Sequence, residues 1–167
     1  MLYTWIKEKQ HNDISLDLIF SSSKHALTKS VFNDCCMNQG SILICIESED
    51  HSLFGGYLQK GYTEATGYVK DKDCFLFTLK NSHSIPPTKF DTITGKTAFY
   101  NFGKKYLFSF GTNEILISEN CNENKLSKLQ FLQSFKNDYQ DRALIFSSSE
   151  YFSVSTLEGY KVNMKCY

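Results

Sequence analysis

The sequence predicts a mainly β protein, a sandwich of two antiparallel sheets with a few short helices. Many short apolar segments of strand length are separated by polar turns, whereas few segments show helical periodicity. Aromatic residues make up 15% of the chain, with 14 Phe and 10 Tyr but only 2 Pro, which is typical of ordered, strand-rich proteins. A length of 167 residues predicts one domain.

The most apolar segment is residues 42–46 (ILICI), which predicts a strand that is covered on both faces. The polar residues 47–52 predict a hairpin loop, after which the apolar pattern resumes. Gly55 and Gly56 follow within that pattern, where glycine loses packing area and backbone entropy. They favour a bulge or a close backbone approach. An anion-binding loop is the alternative, but the helix start that such a loop needs does not follow.

Two segments have helical character. Residues 1–15 are interpreted as an N-terminal extension that contains a short amphipathic helix with Ile6 on its apolar side. Residues 26–39 repeat apolar side chains at roughly helical spacing. Gly40 follows them, where a left-handed C-terminal cap favours glycine. We expect this second helix to pack on the sheet.

The remaining strands are predicted from alternating or continuous apolar residues. The first, residues 16–20, is expected to be half-buried, because Leu16, Leu18 and Phe20 alternate with other residues. The others are predicted around Phe90 and at residues 74–79, 98–100, 106–108, 114–118, 142–146 and 151–162.

Three segments between these strands are expected to differ from them. Residues 59–72 predict a polar surface loop anchored by Tyr62 and Tyr68. Residues 119–124 (ENCNEN) are polar and turn-forming. Residues 125–135 leave two alternatives open, because their leucines fit one stripe of a helix but also fit a loop.

Charge and hydropathy argue against several functional classes. The 18 basic and 18 acidic residues give a formal charge of zero, whereas nucleic-acid and anionic-membrane binders normally have a basic excess. No specific nucleic acid is therefore expected as a partner. No apolar run approaches the roughly 18 residues that span a bilayer, and residues 1–12 lack the apolar core of a signal peptide. We expect a cytoplasmic protein.

Cysteine and histidine patterns predict neither a metal site nor catalysis. The six cysteines include no Cys-x-x-Cys pair, so free thiols and no metal or other cofactor are expected. The four histidines fall in predicted loops or at element ends, with no nucleophile signature beside them. Cys121 is the candidate redox residue, because its polar turn is expected to be exposed. The structural alternative is that Asn120 and Asn122 fix this turn through side-chain-to-backbone hydrogen bonds.

Five separated motifs, in this order and spacing, resemble the TLDc domain family. They extend over roughly residues 16–162 and comprise residues 18–32 (LIFSSSKHALTKSVF), 54–57 (FGGY), 75–79 (FLFTL), 117–122 (ISENCN) and 152–160 (FSVSTLEGY). The resemblance implies a β-sandwich over residues 16–167 and a non-enzymatic role. It also implies a link to oxidative-stress protection and a protein partner, the peripheral subunits of the vacuolar proton-pumping ATPase.

The chain departs from the family pattern at three places. Residues 106–111 keep only Phe110-Gly111 of a glycine-rich stretch, and Tyr62 replaces a tryptophan. Ser155 and Thr156 replace acidic residues near the end of the domain, which leaves Glu158. Glu158, Gly55 and Gly56 are therefore the candidate residues for contacting a partner or shaping the contact surface. The alternative function is a redox-responsive scavenger or sensor that acts through cysteines such as Cys121.

Overall fold

The computed structural model describes residues 1–64, 67–101, 103–139 and 145–165. Its strands form two antiparallel sheets, and two helices accompany them within these ranges. In chain order the elements are α1 (Leu2–Gln10), β1 (Ile14–Ser21), α2 (Lys29–Cys36), β2 (Ile42–Ser48), β3 (Leu53–Leu58), β4 (Tyr68–Val69), β5 (Phe75–Lys80), β6 (Thr88–Asp91), β7 (Phe99–Tyr100), β8 (Tyr106–Phe110), β9 (Ile115–Ser118), β10 (Ser127–Leu129), β11 (Tyr151–Phe152) and β12 (Val154–Met164).

The first sheet has the strand order β1-β12-β2-β3-β5-β6, and the second has the order β11-β10-β9-β8-β7-β4. Their inner faces enclose the main core, in which aromatic rings predominate. The rings of Phe54 on β3 and Phe152 on β11 meet edge to face with centroids 5.7 Å apart. Phe32 on α2 stacks on Phe108 of β8 at 5.0 Å. The predicted mainly β sandwich is confirmed.

A second, smaller core lies on the outer face of the first sheet, where α1 packs. Ile6 of α1 is fully buried there together with Leu43 and Tyr57. The ring of Trp5 meets Phe75 edge to face, with centroids 6.3 Å apart. β2 is therefore covered on both faces, as its continuous apolar sequence predicted. The proposed boundary between an extension and a sandwich at residue 16 stays a prediction.

Helix α2 is shorter than the predicted 26–39, since it extends only from Lys29 to Cys36. Thr28 is its N-cap, and its side-chain hydroxyl accepts a hydrogen bond from the backbone N–H of Val31 at 3.4 Å. At the other end Met37 is extended rather than left-handed. Gly40 has a φ of +75° but lies beyond the helix, so the predicted glycine cap is wrong.

Strand β1 contains an irregularity that alternation did not predict. Leu18 pairs with Tyr160 of β12, but Phe20 pairs with Gly159, so the register shifts between the two residues. A bulge of this kind changes the face that later side chains occupy. Phe20 consequently lies in the main core with no exposed surface, whereas Leu18 remains 47% exposed.

Three other expectations differ from the structure. The 59–72 segment, predicted to be a loop, contains strand β4. Of the two tyrosines predicted to anchor it, Tyr62 is buried but Tyr68 is exposed. In the 125–135 segment, three residues form strand β10, which pairs with β9 and β11. The strand predicted at 142–146 lies partly outside the described residues, and its last two residues, Ile145 and Phe146, are buried in a bend.

Asp50 joins the hairpin between β2 and β3 to the segment that precedes β11. Its carboxylate accepts hydrogen bonds from the hydroxyl of Ser48 and from the N–H of Ser52 at 3.1 Å. The N–H of Ser148 also donates to it, at 2.7 Å. Burial alone would raise the pKa of Asp50, but the hydrogen bonds from Ser48 and Ser148 outweigh burial and lower it.

Candidate interaction surface

Glu158 and Gly55 lie in one cross-strand row on the first sheet. Glu158 of β12 pairs with Cys45 of β2, which pairs with Gly55 of β3, and Gly55 pairs with Phe77 of β5. Because neighbouring strands are spaced by about 4.8 Å, Glu158 and Gly55 lie about 10 Å apart. The structure thus brings Glu158 close to the glycine pair, whereas Cys121 lies in the main core.

The side chain of Glu158 is half-buried and is held by its neighbour on the same strand. The hydroxyl of Tyr160 donates a short hydrogen bond to Glu158 Oε2. Burial, followed by this hydrogen bond and the charge of Glu158, raises the pKa of Tyr160. Burial, with a smaller effect of Glu158, raises the pKa of the Cys45 thiol to about 12. Both neighbours therefore stay protonated at neutral pH, and the carboxylate of Glu158 accepts the hydrogen bond from Tyr160.

Helix α1 covers only part of this outer face. It packs on the region of Tyr57 and Phe75, whereas Leu18, Cys45, Glu158 and Tyr160 are partly or largely exposed. We call these four residues the outer-face patch. It combines an exposed aliphatic side chain with an acceptor carboxylate on a rigid, fully paired strand.

Gly55 and Gly56 have architectural roles, and both are buried. A Cβ atom built on Gly55 would lie 1.9 Å from the carbonyl oxygen of Ile44 on the neighbouring strand. A Cβ built on Gly56, on the inner face, would lie 2.5 Å from the ring of Phe110. The predicted close backbone approach is therefore present at Gly55, whereas at Gly56 the neighbour is an aromatic side chain of the other sheet. A direct binding role for these glycines stays a prediction.

Cys121 is fully buried in the main core, so its predicted exposure is wrong. Burial raises the pKa of its thiol to about 12, which disfavours the reactive thiolate. Its carbonyl oxygen accepts a hydrogen bond from the N–H of Val154 at 2.8 Å, so the turn is fixed to the start of β12. A redox role for Cys121 stays a prediction.

The 119–124 turn is held by a residue that sequence reasoning missed. The side-chain amide of Asn124 donates to the carbonyl oxygens of Glu119 at 2.9 Å and Asn120 at 3.0 Å. The hydroxyl of Ser118 donates to Asn124 Oδ1 at 2.9 Å. Asn120 contributes through its left-handed backbone, with a φ of +50°. An asparagine at the end of a polar turn was the available signal.

Three of the four histidines make contacts typical of structural residues. His25 stacks on Phe20 with centroids 5.2 Å apart, and His51 Nδ1 lies 3.2 Å from a carboxylate oxygen of Glu47. His83 Nε2 lies 3.4 Å from the carbonyl oxygen of Ser147. Within the described ranges, no group of three or more His, Cys, Asp or Glu side chains is arranged to hold a metal ion. None of the described helices has the length and apolar character needed to span a membrane.

The model of the TLDc domain family matches residues 1–163. The chain belongs to the TLDc family. A 100-residue segment is also 34% identical to interferon-induced protein 44 of Pan troglodytes and 33% identical to interferon-induced protein 44 of Homo sapiens. In each case the match covers 58% of this chain and 21% of the relative. The match thus spans about a fifth of the length of these curated relatives, and family membership suggests a protein-binding role for this TLDc domain.

Proposed function

We propose that this TLDc domain is a non-enzymatic, cytoplasmic interaction module that binds peripheral subunits of the vacuolar proton-pumping ATPase during the response to oxidative stress. Support comes first from family membership over residues 1–163. The TLDc resemblance of the sequence itself supplies the ATPase as the partner class. The single structural observation that favours binding is the outer-face patch, where the half-buried Glu158 stands beside the exposed Leu18.

The chemistry of the patch suits a protein partner. Leu18 offers apolar area that is lost from water on docking, while Glu158 offers an acceptor whose orientation Tyr160 already fixes. Pre-organisation of this kind reduces the entropy lost on binding. The proposal therefore places a donor group of the partner, such as an arginine or lysine side chain, against Glu158.

Co-purification from cell lysate tests both the partner and the surface. Tagged wild-type protein is expected to recover ATPase subunits, and recovery of none would reject the partner. Glu158→Gln should weaken recovery about 10- to 100-fold, because charge-assisted hydrogen bonds contribute about 1.5–3 kcal/mol. Glu123→Gln, which alters an exposed acid in the 119–124 turn, is the matched control.

Two further variants separate the surface from the alternative redox function. Leu18→Ser removes the exposed apolar contact without altering the main core, and it should weaken recovery as Glu158→Gln does. Cys121→Ser should leave recovery at the wild-type level, since its side chain lies in the core. Equal recovery with Glu158→Gln and wild type would show that the patch is not the interface.

A further inference from the structure

A basic cleft is lined by loop residues, none of which belongs to the outer-face patch. It has a volume of about 200 Å³ and opens between the loop after β3, the loop between β4 and β5, and the loop between β6 and β7. Its lining includes four exposed lysine side chains from these three loops: Lys60, Lys70, Lys72 and Lys96. A Cβ atom built on Gly95, in the third loop, would meet no heavy atom within 4 Å, so the cleft is open above that residue.

The buried carboxylate of Asp71 holds two of these loops in place. Asp71 Oδ2 accepts a hydrogen bond from the N–H of Lys60 at 2.8 Å, and Oδ1 accepts one from the N–H of Asp73 at 3.1 Å. The ammonium group of Lys60 also donates to the carbonyl oxygen of Lys70 at 3.0 Å. The lysine-bearing loops are therefore fixed to each other before any ligand binds, which lowers the entropic cost of binding.

Positive charge in the cleft exceeds negative charge. The four lysines are accompanied by Asp71, whose charge is turned toward backbone N–H groups, and by Asp73, which pairs with Lys72 at 2.9 Å. Among the residues that the structure describes, no carboxylate forms a salt bridge with Lys70 or Lys96. Thr92 is also in the lining, but its hydroxyl already donates a hydrogen bond to the carbonyl oxygen of Cys74 at 2.6 Å. The donors left for a ligand are therefore lysine ammonium groups.

We propose that this cleft binds a small ligand carrying several phosphate groups, such as an inositol polyphosphate. Lysine ammonium groups act as point charges for phosphate, and their position on three separate loops suits several phosphates rather than one. The ligand can be a soluble inositol polyphosphate or the headgroup of a phosphoinositide, because both present the same clustered phosphates.

Isothermal titration of the purified chain with inositol hexakisphosphate tests the proposal. Wild-type protein should bind this probe, while inorganic phosphate at the same concentration should not compete measurably. Lys70→Gln combined with Lys96→Gln should weaken binding at least about tenfold, with an unchanged thermal midpoint because both side chains are exposed. Absence of binding by the wild type would overturn the proposal.

Lys24→Gln combined with Lys104→Gln is the matched control, since it removes the same charge from exposed positions outside the cleft. Its affinity for inositol hexakisphosphate should stay within about twofold of the wild-type value. If it loses as much affinity as the Lys70→Gln and Lys96→Gln double variant, the probe is attracted non-specifically by surface charge and the proposed cleft site is wrong. Competition by inorganic phosphate alone would overturn a multi-phosphate site.

Sedimentation with phosphatidylcholine vesicles, with and without phosphatidylinositol bisphosphate, then separates the two sources of the ligand, the phosphoinositide headgroup and the soluble inositol polyphosphate. Co-sedimentation that depends on Lys70 and Lys96 assigns the headgroup, whereas binding only to the soluble probe assigns the free ligand.

Discussion

Replacement of Gly56 by alanine tests the contact between Gly56 of the first sheet and Phe110 of the second. The added Cβ would lie 2.5, 2.6 and 2.9 Å from three ring carbons of Phe110. Because carbon atoms normally approach to about 3.5–4.0 Å, the ring would have to retreat by about 1 Å. Phe110 is fully buried, and its ring already contacts Phe99 and Phe108 at centroid distances of 5.3 and 5.7 Å. We expect a loss of about 1–3 kcal/mol, which is large against the roughly 5–15 kcal/mol of a whole domain.

A double-mutant cycle identifies the cause of that loss. Phe110→Leu removes the outer ring carbons, so Gly56→Ala should cost about 1 kcal/mol less in the Phe110→Leu background than in the wild type. Urea unfolding, monitored by the fluorescence of Trp5 and by circular dichroism, gives the free energies if the two signals coincide.

Gly40→Ala provides the control for this cycle. A Cβ on Gly40 would meet no heavy atom within 4 Å, but its φ of +75° strains any other residue by about 1–2 kcal/mol. The effects of Gly40→Ala and Phe110→Leu should therefore add to within about 0.5 kcal/mol. If the free-energy losses of Gly56→Ala and Phe110→Leu also add to within about 0.5 kcal/mol, the clash with Phe110 is not the cause of the loss in Gly56→Ala.

Three further outcomes follow from contacts described above. Phe77→Ala should destabilise the domain by about 3–5 kcal/mol in urea unfolding, because it leaves a cavity where the fully buried Phe77 ring packs in the outer core, and a loss below about 1 kcal/mol would contradict that burial. Asp50 has a lowered folded-state pKa, so its contribution to stability should be present above about pH 4 and should be lost as pH falls through the folded-state pKa. In the Asp50→Asn variant the thermal midpoint should therefore fall less steeply as pH decreases below about 4. If it falls as steeply as in the wild type, other carboxylates cause the loss of stability in acid. A thiol reagent at pH 8 should label the partly exposed Cys35 long before Cys121, and the reverse order by mass spectrometry would contradict the buried position of Cys121.

The main strands could be predicted because their apolar residues are continuous or alternate without interruption. Residues 42–46 are flanked by a polar hairpin and are covered on both faces, so their composition alone indicated a buried strand. Gly55 was correctly associated with a close backbone approach, whereas Gly56 makes room for the ring of Phe110, which the sequence pattern did not predict.

Other features depend on contacts between distant segments, which local patterns do not encode. No residue type marks the register shift between Leu18 and Phe20. The alternating pattern therefore assigned both side chains to the same face, although Phe20 is buried and Leu18 is exposed. The polarity of the turn around Cys121 hides the fact that its thiol points into the core. Glu158 was identified only through family resemblance. The lysines of the basic cleft were missed because three separate loops bring them together.

The position of β12 between β1 and β2 in the first sheet has a consequence for synthesis on the ribosome. Residues 154–164 fill the gap between β1 and β2, which are otherwise unconnected in that sheet. Until these residues leave the exit tunnel, β1 has no neighbour and β2 has one unpaired side, so exposed strand edges persist on the nascent chain. We expect the first sheet to close only after residues 154–164 have emerged, and to close slowly because its strands pair over long sequence separations, with chaperones protecting the open edges during the delay.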